Sequence, residues 1–211
     1  MVGLFSFGRR AICVAVIGFT HGAAFADCSK GIGAQCEGAM LKGVIWKNAD
    51  LSGGNFHLAN FEGANLEGAR FNGADLRGAN LRYARLQRGN FANANLDGAD
   101  LHGANLRHAG FSRARLAKAD LSKTYLEGAD LSMASLRGAD LSRSQLVGAD
   151  LQQADLQGAK LDGAFLNYAN LKEAQLGGAS IQRFRIIGAR LAGAMWIDGK
   201  VCATPSVGSC E

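Results

Sequence analysis

The chain has 211 residues, 29 of them glycine and one proline, with 8% aromatic residues and a formal charge of +5. Apolar residues reach 48%, mostly as Ala and Leu, which excludes disorder by low hydrophobicity; a single proline and no Gly-X-Y period exclude collagen. Arg9 and Arg10 fall in a segment expected to be removed, leaving 21 basic residues against 18 acidic ones, too small an excess to announce a nucleic-acid binder.

Residues 1–10, MVGLFSFGRR, carry no acid and end in two arginines, and an apolar run follows from Ala11 to Phe19. Ala24-Phe25-Ala26 then precedes Asp27. A basic start, a short apolar stretch and an A-x-A site read as a secretory signal peptide over residues 1–26, cleaved after Ala26. Gly8 and Ala11 fit the twin-arginine consensus poorly, so the general secretory route is preferred. The mature chain is expected to be bacterial, periplasmic or secreted, with no membrane span once the signal is gone.

Cys13 leaves with that signal, and Cys28, Cys36, Cys202 and Cys210 remain. Four cysteines permit three pairings, of which local closure at each end is the simplest in an oxidising compartment. Loops this short yield somewhat under ~3 kcal/mol by the entropic estimate. Zinc is the alternative, disfavoured because the spacing does not make paired knuckles and no histidine lies near either pair. Residues 27–38 and 199–211 are therefore read as small stapled caps.

Between them runs a repeat of period five. Its centres step from Leu41 through Trp46, Leu51 and Phe56 to Ile186, Leu191 and Trp196 without a frame break. Two residues before the centre sits Ala, with Val44, Gly54, Gly89, Thr124, Ser144 and Phe184 as the exceptions. Asp or Asn usually precedes the centre, and Gly is commonest two residues after it.

On an α-helix, five steps rotate by about 140° net, so the Leu stripe would wind around the whole surface. On a continuous strand an odd period sends alternate Leu residues to opposite faces. The chain must turn once per unit, so that each short extended segment points its Ala and its Leu inward. Gly and Asn at the unit ends tolerate the left-handed conformations such turns need. The periodicity predicts a solenoid.

Units such as Ala74-Asp75-Leu76-Arg77-Gly78 and Ala99-Asp100-Leu101-His102-Gly103 resemble the A(D/N)LxG units of the pentapeptide-repeat family. The resemblance covers residues 39–198 and implies an all-β fold, a right-handed quadrilateral β-helix with four units per coil. Eight coils would then make a rod roughly 38 Å long. Phe71, Phe91 and Phe111 recur at the coil length and are expected to stack in one interior column. The segment from Trp196 to Cys210 resembles a closing segment of exported family members and is expected to cover Met195, Trp196, Ile197 and Val201.

Residue types that carry chemistry are sparse in the chain. His57, His102 and His108 fall on three sides of such a coil, so no His-based dyad or metal cluster is expected. Asp100, Asp120 and Asp140 would form a carboxylate column able to hold Ca²⁺, but the plainer reading is that the repeat prefers Asp there. No catalytic residue, cofactor or metal ligand is assigned.

From Arg82 to Lys123 the cations cluster, and Arg85, Arg88, Arg107 and His108 share one side of the coil. They form a candidate anion-docking patch. The plainer reading is preferred, that exposed positions drift and that Asp97, Asp100 and Asp120 dilute the field. Arg107 is expected to face water. Tyr83, Tyr125, Phe165 and Tyr168 are placed outward as well.

The expected function is an exported, non-catalytic scaffold or protein-interaction module whose partner is an unidentified protein or envelope polymer, not nucleic acid. One alternative is an anion- or polysaccharide-binding surface module. Another is a DNA mimic protecting a type II topoisomerase, known in the family, which asks for an acidic surface and a cytoplasmic address. A monomer is expected, with end-to-end dimerisation the other possibility.

Overall fold

The computed structural model describes residues 28–204 and 206–210, so the expected signal peptide lies outside the described residues. The chain coils upon itself. Parallel bridges join each residue preceding a centre to its equivalent 20 residues on, from Gln35–Asn55 to Gln175–Met195. Units 20 residues apart therefore stack, and four stacks result, named here after their centres Leu41, Trp46, Leu51 and Phe56. The architecture is a parallel β-helix.

The hydrogen bonds explain how so short a unit can hold. The Leu101 N–H donates forward to the Asp120 carbonyl (2.8 Å), the Asp100 N–H donates back to the Ala79 carbonyl (2.9 Å), and the Ala104 N–H closes the turn on the Leu101 carbonyl (2.9 Å). Each unit is thus bonded to the coil before it, the coil after it and itself. The residue two after each centre has a positive φ from Gly33 through to Gly193, which is why glycine recurs there. Leu58, Tyr83 and Met133 accept the same left-handed geometry as L residues.

The Asp/Asn preference has a cause that the sequence pattern alone does not reveal. The Asp100 side-chain Oδ1 accepts from the His102 N–H (3.0 Å), and Asn80 does the same for Arg82 (3.1 Å). Ser122 and Ser142 donate likewise to Asp120 and Asp140. These Asx turns satisfy a backbone donor that no neighbouring coil reaches.

Every centre from Leu51 to Leu176 is sealed from solvent. A fully buried Leu contributes about 1.5–3 kcal/mol relative to exposure, so the column of centres dominates stability. Phe71, Phe91 and Phe111 stack with parallel rings, at 5.1 and 4.7 Å between centroids, as their spacing predicts. Gly54 and Gly89 replace Ala because a Cβ there would collide with Phe56 and Phe91, the centre of the same unit.

The two ends are finished differently. Cys28 bonds Cys36 and Cys202 bonds Cys210, with Cα atoms 4.7 and 4.8 Å apart. Cys36 is buried at the centre position of the Phe56 stack, bridged through Gln35 to Asn55. The coil thus reaches into the residues read from sequence as a separate cap at 27–38. At the other end the chain reverses, and Val201 and Val207 pair antiparallel with Met195 and Arg190. This lid shields Trp196 and Ile197 in part, but Val201 is 62% exposed, contrary to the sequence expectation. As the bridge partner of Met195 it takes an outward position.

Candidate interaction surface

The interior is filled by the two inward positions of each unit, apolar except for Thr124 and Ser144, whose hydroxyls donate to the Leu121 and Leu141 carbonyls, so chemistry is confined to three outward positions per unit: the bridge residue and the two turn residues. In most of the rod these carry charges that cancel locally. Arg82 donates to Asp100 (3.0 Å), Arg115 to Asp97 (3.0 Å), Arg137 to Asp155 (2.8 Å) and Arg70 to Asp50 (2.7 Å). The Arg70 guanidinium, helped by the Ser52 hydroxyl, holds the Asp50 carboxyl down at about 2. His57 lies against Glu37 (3.3 Å) and keeps that carboxyl below its ordinary range.

The cation-rich belt of the sequence is dispersed by the coil. Arg82 belongs to the Leu41 stack, Arg113 to the Leu51 stack, and Arg115 and Lys118 to the Phe56 stack. Asp97 and Asp100, expected to dilute a common field, each neutralise one arginine on another side of the rod from the candidate patch. The three histidines do occupy three different stacks. Among the described residues no group of His, Cys, Asp or Glu could hold a metal ion.

Arg85, Arg88, Arg107 and His108 do share the Trp46 stack, on two successive coils. Arg107 departs from expectation. It donates to Glu127 (2.9 Å) and its guanidinium lies 4.5 Å from the centre of the Tyr125 ring, so it is half-buried rather than simply solvated. The second carboxylate oxygen of Glu127 is buried with no hydrogen bond, as is the Gln87 side-chain oxygen one coil below Arg107.

The same side carries more cations than the sequence reading found. Lys123, Arg143 and Arg183 occupy the turn that leads from the Leu41 stack into the Trp46 stack, and Arg185 is the bridge partner of Phe165. None of these four, nor Arg85 or Arg88, makes an ion pair among the described residues. From Gly43 to Gly188 this side, with the corner residue that leads into it, holds eight cations and two carboxylates, Glu67 and Glu127. The Phe56 side, taken the same way from Gly33 to Gly178, holds five of each. The signal was available as a step of 20 from Lys123 to Arg143 and of 40 to Arg183, yet it shows only once turn residues are assigned to a corner.

Apolar groups share the strip. Tyr168 and Ile187 are each 67% exposed, Tyr125 and Val147 are at the margin of exposure, and the Arg185 guanidinium stands 5.2 Å from the Phe165 ring centre. Tyr168 leans over Gly188, where a Cβ would lie 2.6 Å from its ring. A shallow notch between Arg143 and Arg183 is floored by Gly163 and edged by Asp162 and Gln182. Among the described residues no helix is long and apolar enough to cross a membrane.

A β-helix with five-residue units and its chemistry confined to the surface defines a class, the repeat solenoids. The family described as Pentapeptide repeats matches in eight copies, over residues 32–68, 59–98, 74–113, 84–122 and 149–186. The chain belongs to the pentapeptide repeat family, and its fold is the right-handed β-helix of that family.

It is 33% identical to HetL, a pentapeptide repeat protein involved in heterocyst differentiation regulation from the cyanobacterium Nostoc sp. strain PCC 7120, over 80% of this chain and 85% of that one, at a TM-score of 0.36. QnrB1, a plasmid-mediated fluoroquinolone resistance protein, aligns over 74% of this chain and 85% of its own at 18% identity and a TM-score of 0.62, a likeness of fold. A pentapeptide repeat protein from the Arabidopsis thaliana thylakoid lumen is 29% identical over 58% of this chain and 68% of that one, with a TM-score of 0.30. No curated protein matches the chain significantly.

Proposed function

We propose that the protein is an exported, non-catalytic scaffold: a four-sided rod of about eight coils that presents its Trp46 side to a partner in the periplasm or outside the cell. The observation that carries this reading is the segregation of surface charge, with unpaired cations and exposed aromatics gathered on one side while the opposing Phe56 side is balanced. Two terminal disulfides agree with an oxidising compartment. The positive side runs against a DNA-mimic role, which asks for a surface of the opposite sign. The rod acts alone as a monomer, its last coil partly closed by the lid.

The test is a photo-crosslinking residue placed at Gln145, on the Trp46 side, or at Gln157, on the Phe56 side, in the native host. Adducts from Gln145 and none from Gln157 are expected, together with a periplasmic or secreted species that starts at Asp27 and resists thiol alkylation. A full-length cytoplasmic protein with free thiols would overturn the reading and return the topoisomerase alternative to the front. Light scattering should give the monomer mass; a concentration-dependent doubling would instead mean that the ends stack.

A further inference from the structure

We infer that the Trp46 side binds an extended acidic polysaccharide laid along the rod axis. This rests on the scaffold reading above and names the occupant of that side. Charge favours such a ligand. The chain as a whole is only weakly basic, but its excess is gathered on this side, where six cations make no ion pair among the described residues, Arg85 and Arg88 standing in the field of the Glu67 carboxylate. An array of free cations attracts a polyanion and gains by releasing its counterions, whereas paired cations have little left to give.

The spacing of the cations suits an extended polymer. Lys123 and Arg143 are one coil apart and Arg183 two coils further, so charges recur at about 5 and about 10 Å along a straight line. A linear glycan advances by a comparable length per sugar, which lets successive or alternate acidic groups meet successive cations without bending. Gly163 leaves a gap in the corner column, and an acidic group seated there meets Arg143 on one side and Arg183 on the other. Asp162 edges the same notch. Its carboxylate is already engaged by the Ser180 hydroxyl and the Gln182 N–H, each at 2.6 Å, so it serves the coil rather than closing the notch.

Apolar side chains accompany the cations. Tyr168, Val147 and Ile187 offer exposed apolar surface beside them, suited to the C–H faces of sugar rings. Phe165 holds the Arg185 guanidinium in place and reduces the entropy lost when a ligand orders it.

The experiment uses the full mature chain with its disulfides intact, titrated with heparin, alginate, neutral dextran and oligo-dT over a range of salt. Two charge-reversal triples are compared: Lys123→Glu/Arg143→Glu/Arg185→Glu on the Trp46 side, and Arg113→Glu/Lys118→Glu/Lys172→Glu on the other sides. The wild type should bind heparin and alginate but not dextran. The Trp46-side triple should lose about tenfold or more in affinity, and its log–log salt slope should fall by roughly two, while the control triple stays within about threefold. A Gln triple at the same three Trp46-side positions should give a smaller loss in the same direction, and it serves if the Glu triple fails to fold. Equal losses in both triples, no binding of either acidic glycan at low salt, or tighter binding of oligo-dT would each overturn the inference. If it fails while Gln145 still yields crosslinks, the scaffold reading survives with a different partner; if both fail, both fall.

Discussion

The Trp46 and Phe56 stacks are built on the same unit and the same ladder to the next coil, although Val44, Thr124, Ser144 and Phe184 stand in the first where the second has Ala or Gly, and they meet the solvent in opposite ways. On the Phe56 side Arg77 pairs with Asp75, Arg115 with Asp97 and Arg137 with Asp155, and the charges cancel. On the Trp46 side the cations outnumber their partners and lie among aromatic rings. The difference teaches that in this fold the interior fixes where every side chain stands and leaves what it is to selection. A functional side can therefore be written onto the rod without changing its frame.

Removing the shared frame should destroy both sides at once. Leu101→Arg would bury an unpaired charge at a sealed centre, and a loss of about 3 kcal/mol or more is expected, with unfolding or truncation of the rod. Circular dichroism and melting unchanged from wild type would show that the register is wrong. Gly89→Ala, at a Leu51-stack position, should cost about 1–3 kcal/mol, because the new Cβ would lie 2.9 Å from the Phe91 ring and 3.0 Å from the Leu86 carbonyl oxygen. Gly177→Ala on the Phe56 side meets nothing closer than 4.0 Å and should be neutral or slightly stabilising. Denaturant midpoints compare the two directly.

Smaller effects separate the two surfaces. Arg107→Ala leaves Glu127 without its counter-ion beside an oxygen already lacking a bond, and should cost about 1 kcal/mol. Arg77→Ala breaks an exposed pair and should leave the denaturant midpoint essentially unchanged. Similar midpoints for the two would erase the distinction drawn between the stacks. The smallest effect is a pH one. The Asp50 carboxyl is held at about 2 by Arg70, below its unfolded value, so its stabilisation is complete at neutral pH. That stabilisation is lost as pH falls from the ordinary carboxylate range through about 2. Arg70→Ala should flatten the fall; an unchanged acid profile would remove Asp50 from the account.

Much of the architecture was legible in the chain. A five-residue period is incompatible with a helix or a continuous strand, so a solenoid follows from the spacing of Leu alone, and the Phe71–Phe91–Phe111 stack follows from its step of 20. Cys28, Cys36, Cys202 and Cys210 pair locally, as their spacing allowed. The candidate patch was legible only in part. Arg85, Arg88, Arg107 and His108 were found because they lie close in sequence, whereas Arg143, Arg183 and Arg185 were not.

What the sequence by itself determined is the repeat and therefore the interior, because burial reads one residue at a time: a centre is either apolar or it is not. Only the tertiary structure decided which charges are free. Apart from a local pair such as Arg77 with Asp75, an ion pair depends on the coil stacked below or above, 18 or 20 residues away, as Arg115 finds Asp97 and Arg107 finds Glu127. Lys123 and Arg143 find no such partner, and whether a cation is spent on its own rod or remains available to a ligand is a property of that stacking.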